Sequence, residues 1–110
     1  MNYRLIIKDR ATQDLRELAN YILVNGNAQI AVKFLNSAEL TFEQLLKTPS
    51  MGKIMRLFES KLGEIRQWRI KDFKDYLIFY RILDNNVEII RVFHGARDLA
   101  DILNNLEEEF

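Results

Sequence analysis

The stretch Ile89-Ile90-Arg91-Val92-Phe93-His94-Gly95-Ala96-Arg97-Asp98 decides how this chain is read. Its first half is rich in β-branched and aromatic residues, which suit a pleated, half-buried surface. Gly95 interrupts the run. Asp98 is an N-cap residue type, and Leu99, Ile102, Leu103 and Leu106 follow it at helical spacing. The expected structure is a strand over Val87 to Phe93, a glycine turn and a short C-terminal helix. The string also holds the chain's one histidine, so it is the first place to look for chemistry.

Working back from it, Asp84-Asn85-Asn86 reads as a tight hairpin turn, since Asp and Asn accept turn geometry. It joins the last strand to another over Tyr76 to Leu83, and Ile65 to Ile70 supplies a third. Pro49 to Glu64, with Gly52 and Gly63, reads as a loop with one helical turn. Ahead of it, Ala31, Phe34, Leu35, Ala38, Phe42, Leu45 and Leu46 recur in steps of three and four, the strongest periodicity in the chain, and read as a core stripe. Asn27 caps that helix, and Thr48-Pro49 ends it, because proline disfavours helix in the residue before it. A first helix runs from Ala11 to about Asn25 behind an Asp9 N-cap, with Leu15, Leu18, Ala19, Ile22 and Leu23 at helical spacing. Asn25-Gly26 stops it, and the two helices form a hairpin. Tyr3 to Ile7 reads as a short first strand.

The element order is thus β-α-α-β-β-β-α. A helical hairpin must bury its apolar stripe on something, and the strand set is the available sheet. The expected fold is α+β, with the N-terminal helical hairpin packed on a small, mainly antiparallel sheet and a short helix at the C-terminus. The 110 residues, 48% of them hydrophobic, fit a single domain over 1–110. Cysteine is absent, which excludes disulfides and thiolate metal sites. One histidine and no carboxylate cluster at metal spacing argue against a bound metal, and no phosphate-cradling glycine loop suggests a cofactor. The apolar run in Met1 to Lys8 is too short for a signal peptide, and none approaches a membrane span. A soluble, cytoplasmic protein is expected.

The net charge of zero hides an uneven layout. Residues 53–97 carry ten Lys/Arg against six Asp/Glu, whereas residues 98–110 carry none against five. A basic middle suits nucleic acid or an acidic protein partner, although a solvated surface of mixed charge accounts for it equally.

In element order and in residues, the chain resembles the RelE/ParE superfamily of toxins from type II toxin–antitoxin systems. The resemblance rests on Tyr76-Leu77-Ile78-Phe79-Tyr80-Arg81, the Asp/Asn turn, and Ile89 to Asp98. It implies a small antitoxin partner and roles in growth inhibition and plasmid stabilisation. RelE-like members resemble ribosome-dependent mRNA endoribonucleases, and ParE-like members resemble inhibitors of DNA gyrase. The nuclease branch supplies cations, an acid and a base for attack by a 2′-hydroxyl. Carried over by position, its arginine after the strand-opening tyrosine is Leu77 here. The arginine after the Gly-x pair is retained as Arg97, its C-terminal tyrosine falls near Leu103, and its strand lysines fall near Arg69 or Lys71. Two of those groups are apolar here, which points to the ParE branch.

Individual residues carry two readings each. His94 is an acid or base, or a strand-end residue that orients the Gly95 turn. Arg97 presents its planar fork to a phosphate or carboxylate, or tethers the turn, while Asp98 caps the last helix. Trp68 stacks on a base or, the favoured reading, packs in the core. By alternation Leu77, Phe79, Arg81 and Leu83 share one sheet face, read as the open side that binds a partner, and Arg91 extends its basic patch. Against this stands the plainer reading of Arg81 and Arg91 as arginines lying over the sheet. The resulting expectation is a ParE-like growth inhibitor acting on DNA gyrase, with no catalytic residue of its own. An antitoxin would cover Arg81, Arg91, Arg97, Leu99 and Leu103. The alternative is a nuclease acting on mRNA at the ribosome through Arg69, Arg81, His94 and Arg97.

Overall fold

Residues 2–55 and 63–95 are described by a computed structural model. Strand β1 (Arg4–Ile7) leads into helix α1 (Asp9–Asn25) and helix α2 (Ala28–Lys47). A 3₁₀ turn at Pro49–Met51 and the two-residue strand β2 (Lys53–Ile54) follow. Strands β3 (Arg66–Ile70), β4 (Phe73–Leu83) and β5 (Asn86–His94) complete the described chain. The C-terminal helix expected after Asp98 lies outside the described residues.

Both helices start close to where the periodicity places them, with one difference in capping. Lys8, in extended backbone, is the N-cap of α1, and no side chain caps it. Asp9 lies inside the first turn, where its carboxylate faces the positive end of the helix. In α2 the Asn27 side chain accepts from the Ile30 N–H at 2.9 Å, as the sequence suggests. The Gly26 N–H closes α1 on the Ile22 carbonyl at 2.8 Å, and Thr48 closes α2 on Gln44 at 3.0 Å.

The five strands form one sheet in the order β1-β5-β4-β3-β2. β1 runs parallel to β5, and the other pairs are antiparallel. Leu83 pairs with Asn86, so the last hairpin turns on Asp84 and Asn85, with Asp84 at φ 56°. A second hairpin turns on Lys71 and Asp72, between Ile70 and Phe73, with Asp72 at φ 65°. It extends β4 three residues beyond its expected start. The charged pair Lys74-Asp75 conceals that extension from a reading of apolar residues alone.

The hairpin packs on the sheet face that carries Tyr76, Ile78, Tyr80 and Ile82. Phe34 of α2 is central, edge-on to Phe73 at 5.3 Å and to Tyr76 at 5.0 Å. The opposite face holds a second apolar cluster of Ile65, Phe79, Ile90 and Phe93, with Phe79 stacked on Phe93 at 4.6 Å. These four residues are at most 2% exposed. The face bearing Arg81 is therefore not the open side that alternation alone suggested.

A β-bulge decides what β5 presents. Phe79 pairs with Arg91 and Tyr80 with Ile89, which leaves Ile90 as an extra residue. An inserted residue reverses the in-out parity beyond it. Val92 consequently joins the core under the helices, while Phe93 turns to the second cluster.

The segment after α2 is pinned to the sheet by Tyr80. Its hydroxyl donates to the Pro49 carbonyl at 2.6 Å and accepts from the Gly52 N–H at 2.9 Å. Arg66 adds bonds to the Ser50 and Gly52 carbonyls at 3.0 and 2.9 Å. Burial pushes the Tyr80 phenol above its ordinary pKa, although the Gly52 amide and Arg66 act the other way. The folded state thus favours the protonated phenol. Its contribution to stability is present below about pH 10 and is lost as pH rises through the higher folded-state value. The loss of stability measured by urea unfolding above pH 10 is expected to be shallower in Tyr80→Phe than in the parent. An unchanged slope would refute this assignment.

Candidate functional site

The candidate site lies where β4 begins and β5 ends, at the Gly95 turn. The Gly95 N–H donates to the Asp75 carbonyl at 2.7 Å, which draws the two strand ends together. A Cβ at Gly95 would lie 3.2 Å from that carbonyl oxygen and 3.3 Å from Leu77 Cδ1, so the approach is tight. His94 stands edge-on to Tyr76 at 4.9 Å and 90°. It forms a wall between two clefts. One, of about 480 Å³, is lined by Lys74, Asp75, Leu77, His94 and Gly95. The other, of about 350 Å³, is lined by Leu18, Tyr21, Tyr76 and His94. Burial raises the Tyr76 phenol, and Tyr21 and Asp75 add to the effect. Tyr76 therefore stays protonated near pH 7, and its hydroxyl keeps the capacity to donate a hydrogen bond.

The expected basic residues do not converge here. Arg81 donates from Nε to Glu88 Oε1 at 2.9 Å, and Lys8 Nζ lies 3.7 Å from the same oxygen. Arg81 is five residues along β4 from Tyr76, hence roughly 17 Å from the His94 end at strand rise. Arg91 points the other way. It lies on the same side of β5 as Val87 and Ile89, toward α1, where its Nε meets Asp14 Oδ2 at 2.7 Å and Nη2 meets Oδ1 at 3.1 Å. The Val92 N–H donates to the same carboxylate at 3.0 Å. At 3% exposure Arg91 belongs to an internal pair and does not extend a patch with Arg81. Arg69 is exposed on β3, in register with Leu77. Trp68 is half-buried against the core under the helices. Arg97, Asp98, Leu99 and Leu103 lie outside the described residues.

Among the described residues Lys74 is the one Lys or Arg lining either cleft, and Leu77 is an apolar wall. Such a place can bind a planar or apolar group and donate hydrogen bonds. Its described lining has little with which to stabilise a phosphorane, which needs several cations around the reacting phosphate. Among the described residues no group of three or more His, Cys, Asp or Glu could hold a metal ion. Among them, too, no helix is long and apolar enough to cross a membrane.

A second feature escaped the sequence reading altogether. Between α1 and α2 runs an apolar groove of about 790 Å³, lined by Leu15, Ala19, Leu23, Ala31, Leu35 and Phe42 among others. Leu23, Val32 and Leu35 are exposed along it. Leu35 was expected in the core, and Leu23 was read only as part of the apolar spacing of α1. The clue was breadth. On α2 the inward residues Ala31, Phe34, Ala38 and Leu45 already make a full stripe, so Val32 and Leu35 form a second one facing outward.

With this geometry in view, the chain matches the family described as ParE toxin of type II toxin-antitoxin system, parDE, over residues 5–99. No curated protein sequence matches it significantly. Among solved structures, it is similar to the chromosomal ParDE system of P. aeruginosa, with a TM-score of 0.68 and 15% identity over 84% of this chain and 95% of that one. The toxin–antitoxin complex RelBE2 of Mycobacterium tuberculosis gives a TM-score of 0.54 and 28% identity over 86% and 99%. A double arginine-to-alanine mutant of E. coli toxin RelE in the free state gives 0.57 and 16% over 99% and 97%.

Proposed function

The chain belongs to the ParE toxin family of type II toxin–antitoxin systems, and from that premise we propose that it arrests growth by binding DNA gyrase through a protein surface in the cytoplasm. The observation that carries this reading is the character of the cleft at the end of β4 and β5. Leu77 stands there in place of an arginine, and Arg81 is held by Glu88 at the far end of its strand. An RNA-cleaving site would require those cations close to the scissile phosphate.

A cognate antitoxin holds the toxin in check. The hairpin groove is its seat, because it is an exposed apolar trough between two helices, of a form that receives a third helix. The solved ParDE and RelBE2 assemblies support a partner of this kind.

Purified chain added to gyrase, ATP and relaxed plasmid is expected to block supercoiling, and pre-mixing with antitoxin should restore it. Full supercoiling at saturating toxin, together with mRNA cut at ribosomes and spared by Arg97→Ala, would replace this reading with the nuclease one.

A further inference from the structure

The groove between α1 and α2 is small-walled at its base and oppositely charged at its two rims. Ala19, Ala31 and Ala38 line it and allow an incoming backbone to come close. Arg16 of α1 and Glu39 of α2 are the only charged residues among its described lining. The link at residues 26–27 folds α2 back along α1, so the groove is bounded by Leu23 and Ala28 at one end and by Thr12 and Phe42 at the other. Counted from that link, Arg16 is nine residues up α1 and Glu39 eleven residues up α2. At 1.5 Å per residue both stand about 14–17 Å from the turn, facing each other across the groove. Neither has an ion-pair partner among the described residues.

We infer that this groove takes an amphipathic helix of the antitoxin whose apolar stripe is flanked by an acidic residue on the α1 side and a basic residue on the α2 side, and that the Arg16/Glu39 pair sets the direction in which that helix runs. The inference rests on the antitoxin reading above. A helix lying stripe-down in a trough has a left and a right flank, and reversing its direction exchanges them. One direction sets acid against Arg16 and base against Glu39; the other sets like charges together on both rims. Flanking charges beside an apolar seam choose partner and orientation in coiled coils by the same means. The effect lies in discrimination more than in affinity, because the wrong pairing is penalised twice.

The test uses the full-length chain and the full-length antitoxin encoded in the neighbouring reading frame, with binding measured by calorimetry. Arg16→Glu and Glu39→Lys are each expected to weaken binding by about tenfold or more, since each sets like charges face to face. Reversing the antitoxin residue opposite Arg16 should restore binding to Arg16→Glu and weaken binding to the parent. The chain has no cysteine, so single cysteines can report direction. Leu23→Cys at one end and Thr12→Cys at the other should cross-link to opposite ends of the antitoxin helix. Leu35→Asp, at an exposed groove position, separates the two ideas. If it abolishes binding while Arg16→Glu and Glu39→Lys bind within twofold of the parent, the charge-coded direction is overturned and the groove remains the seat. If Leu35→Asp binds like the parent, the groove is not the seat, and both fail.

Discussion

Asp14→Ala is expected to cost about 3–5 kcal/mol of folding stability, the range for removing one partner of a buried ion pair. Asp14 and Arg91 have side chains only 4% exposed. The Asp14 carboxylate accepts from Arg91 Nε and Nη2 and from the Val92 N–H. Alanine removes both acceptor oxygens, and with them all three hydrogen bonds. It takes the bidentate carboxylate from a buried guanidinium and the acceptor from a buried backbone amide beside the bulge, and the lost bonds are costly at buried groups. Asp14→Asn should fall between the two, because it keeps an acceptor for Val92 while losing the charge. The double change Asp14→Leu/Arg91→Met should recover much of the loss, since apolar groups of similar volume need no partner. Urea unfolding of the four proteins decides the matter. A loss below about 1 kcal/mol for Asp14→Ala would mean that the pair is solvated in solution.

Gly52→Ala is expected to cost about 2–4 kcal/mol, from overpacking together with disturbed hydrogen bonds. Backbone strain is not the cause, because Gly52 sits at φ −70° and ψ 147°, open to any residue. A Cβ there would come 2.7 Å from Tyr80 Cε1 and 2.8 Å from Cζ, and closer still to the hydroxyl. Tyr80 is fully buried. Its ring cannot retreat without giving up the Pro49 carbonyl and the Gly52 amide, the bonds that hold the 3₁₀ turn and β2 on the sheet. Tyr80→Phe removes the nearest clashing atom. The double change with Gly52→Ala should therefore cost less than the sum of the two single changes. Strict additivity in thermal unfolding would show that the two residues do not meet.

Arg81 shows a partner that the sequence did contain. Once the turn is placed on Asp84 and Asn85, counting outward from Leu83 and Asn86 brings Arg81 opposite Glu88. Opposite charges at directly facing positions attract, and the ion pair follows from the register. Arg91 is different. Strict alternation from Val87 cannot place both Val92 and Ile89 under the helices, and no residue type in Ile89-Ile90-Arg91 announces a bulge. Asp14 lies 77 residues away in sequence, and only the assembled layers bring it to Arg91. The candidate site was legible in part for the same reason. His94 and Gly95 were read as a strand end and a turn. Tyr76 as the ring against His94, and Tyr21 and Leu18 as walls, required α1 to be seated on the sheet.

The sequence by itself determined the two helices, the Asn27 cap, the stop at Thr48-Pro49, the last hairpin and the α+β order, because period, capping and turn chemistry act between near neighbours. Tertiary structure alone decided that β1 lies parallel to β5, that β5 carries a bulge, that the Arg81 face holds a second buried cluster, and that Leu23 and Leu35 stay outside. Those outcomes depend on which distant surfaces meet and how much area each can cover, and a stripe of leucines looks the same in sequence whether a sheet or a partner protein will bury it.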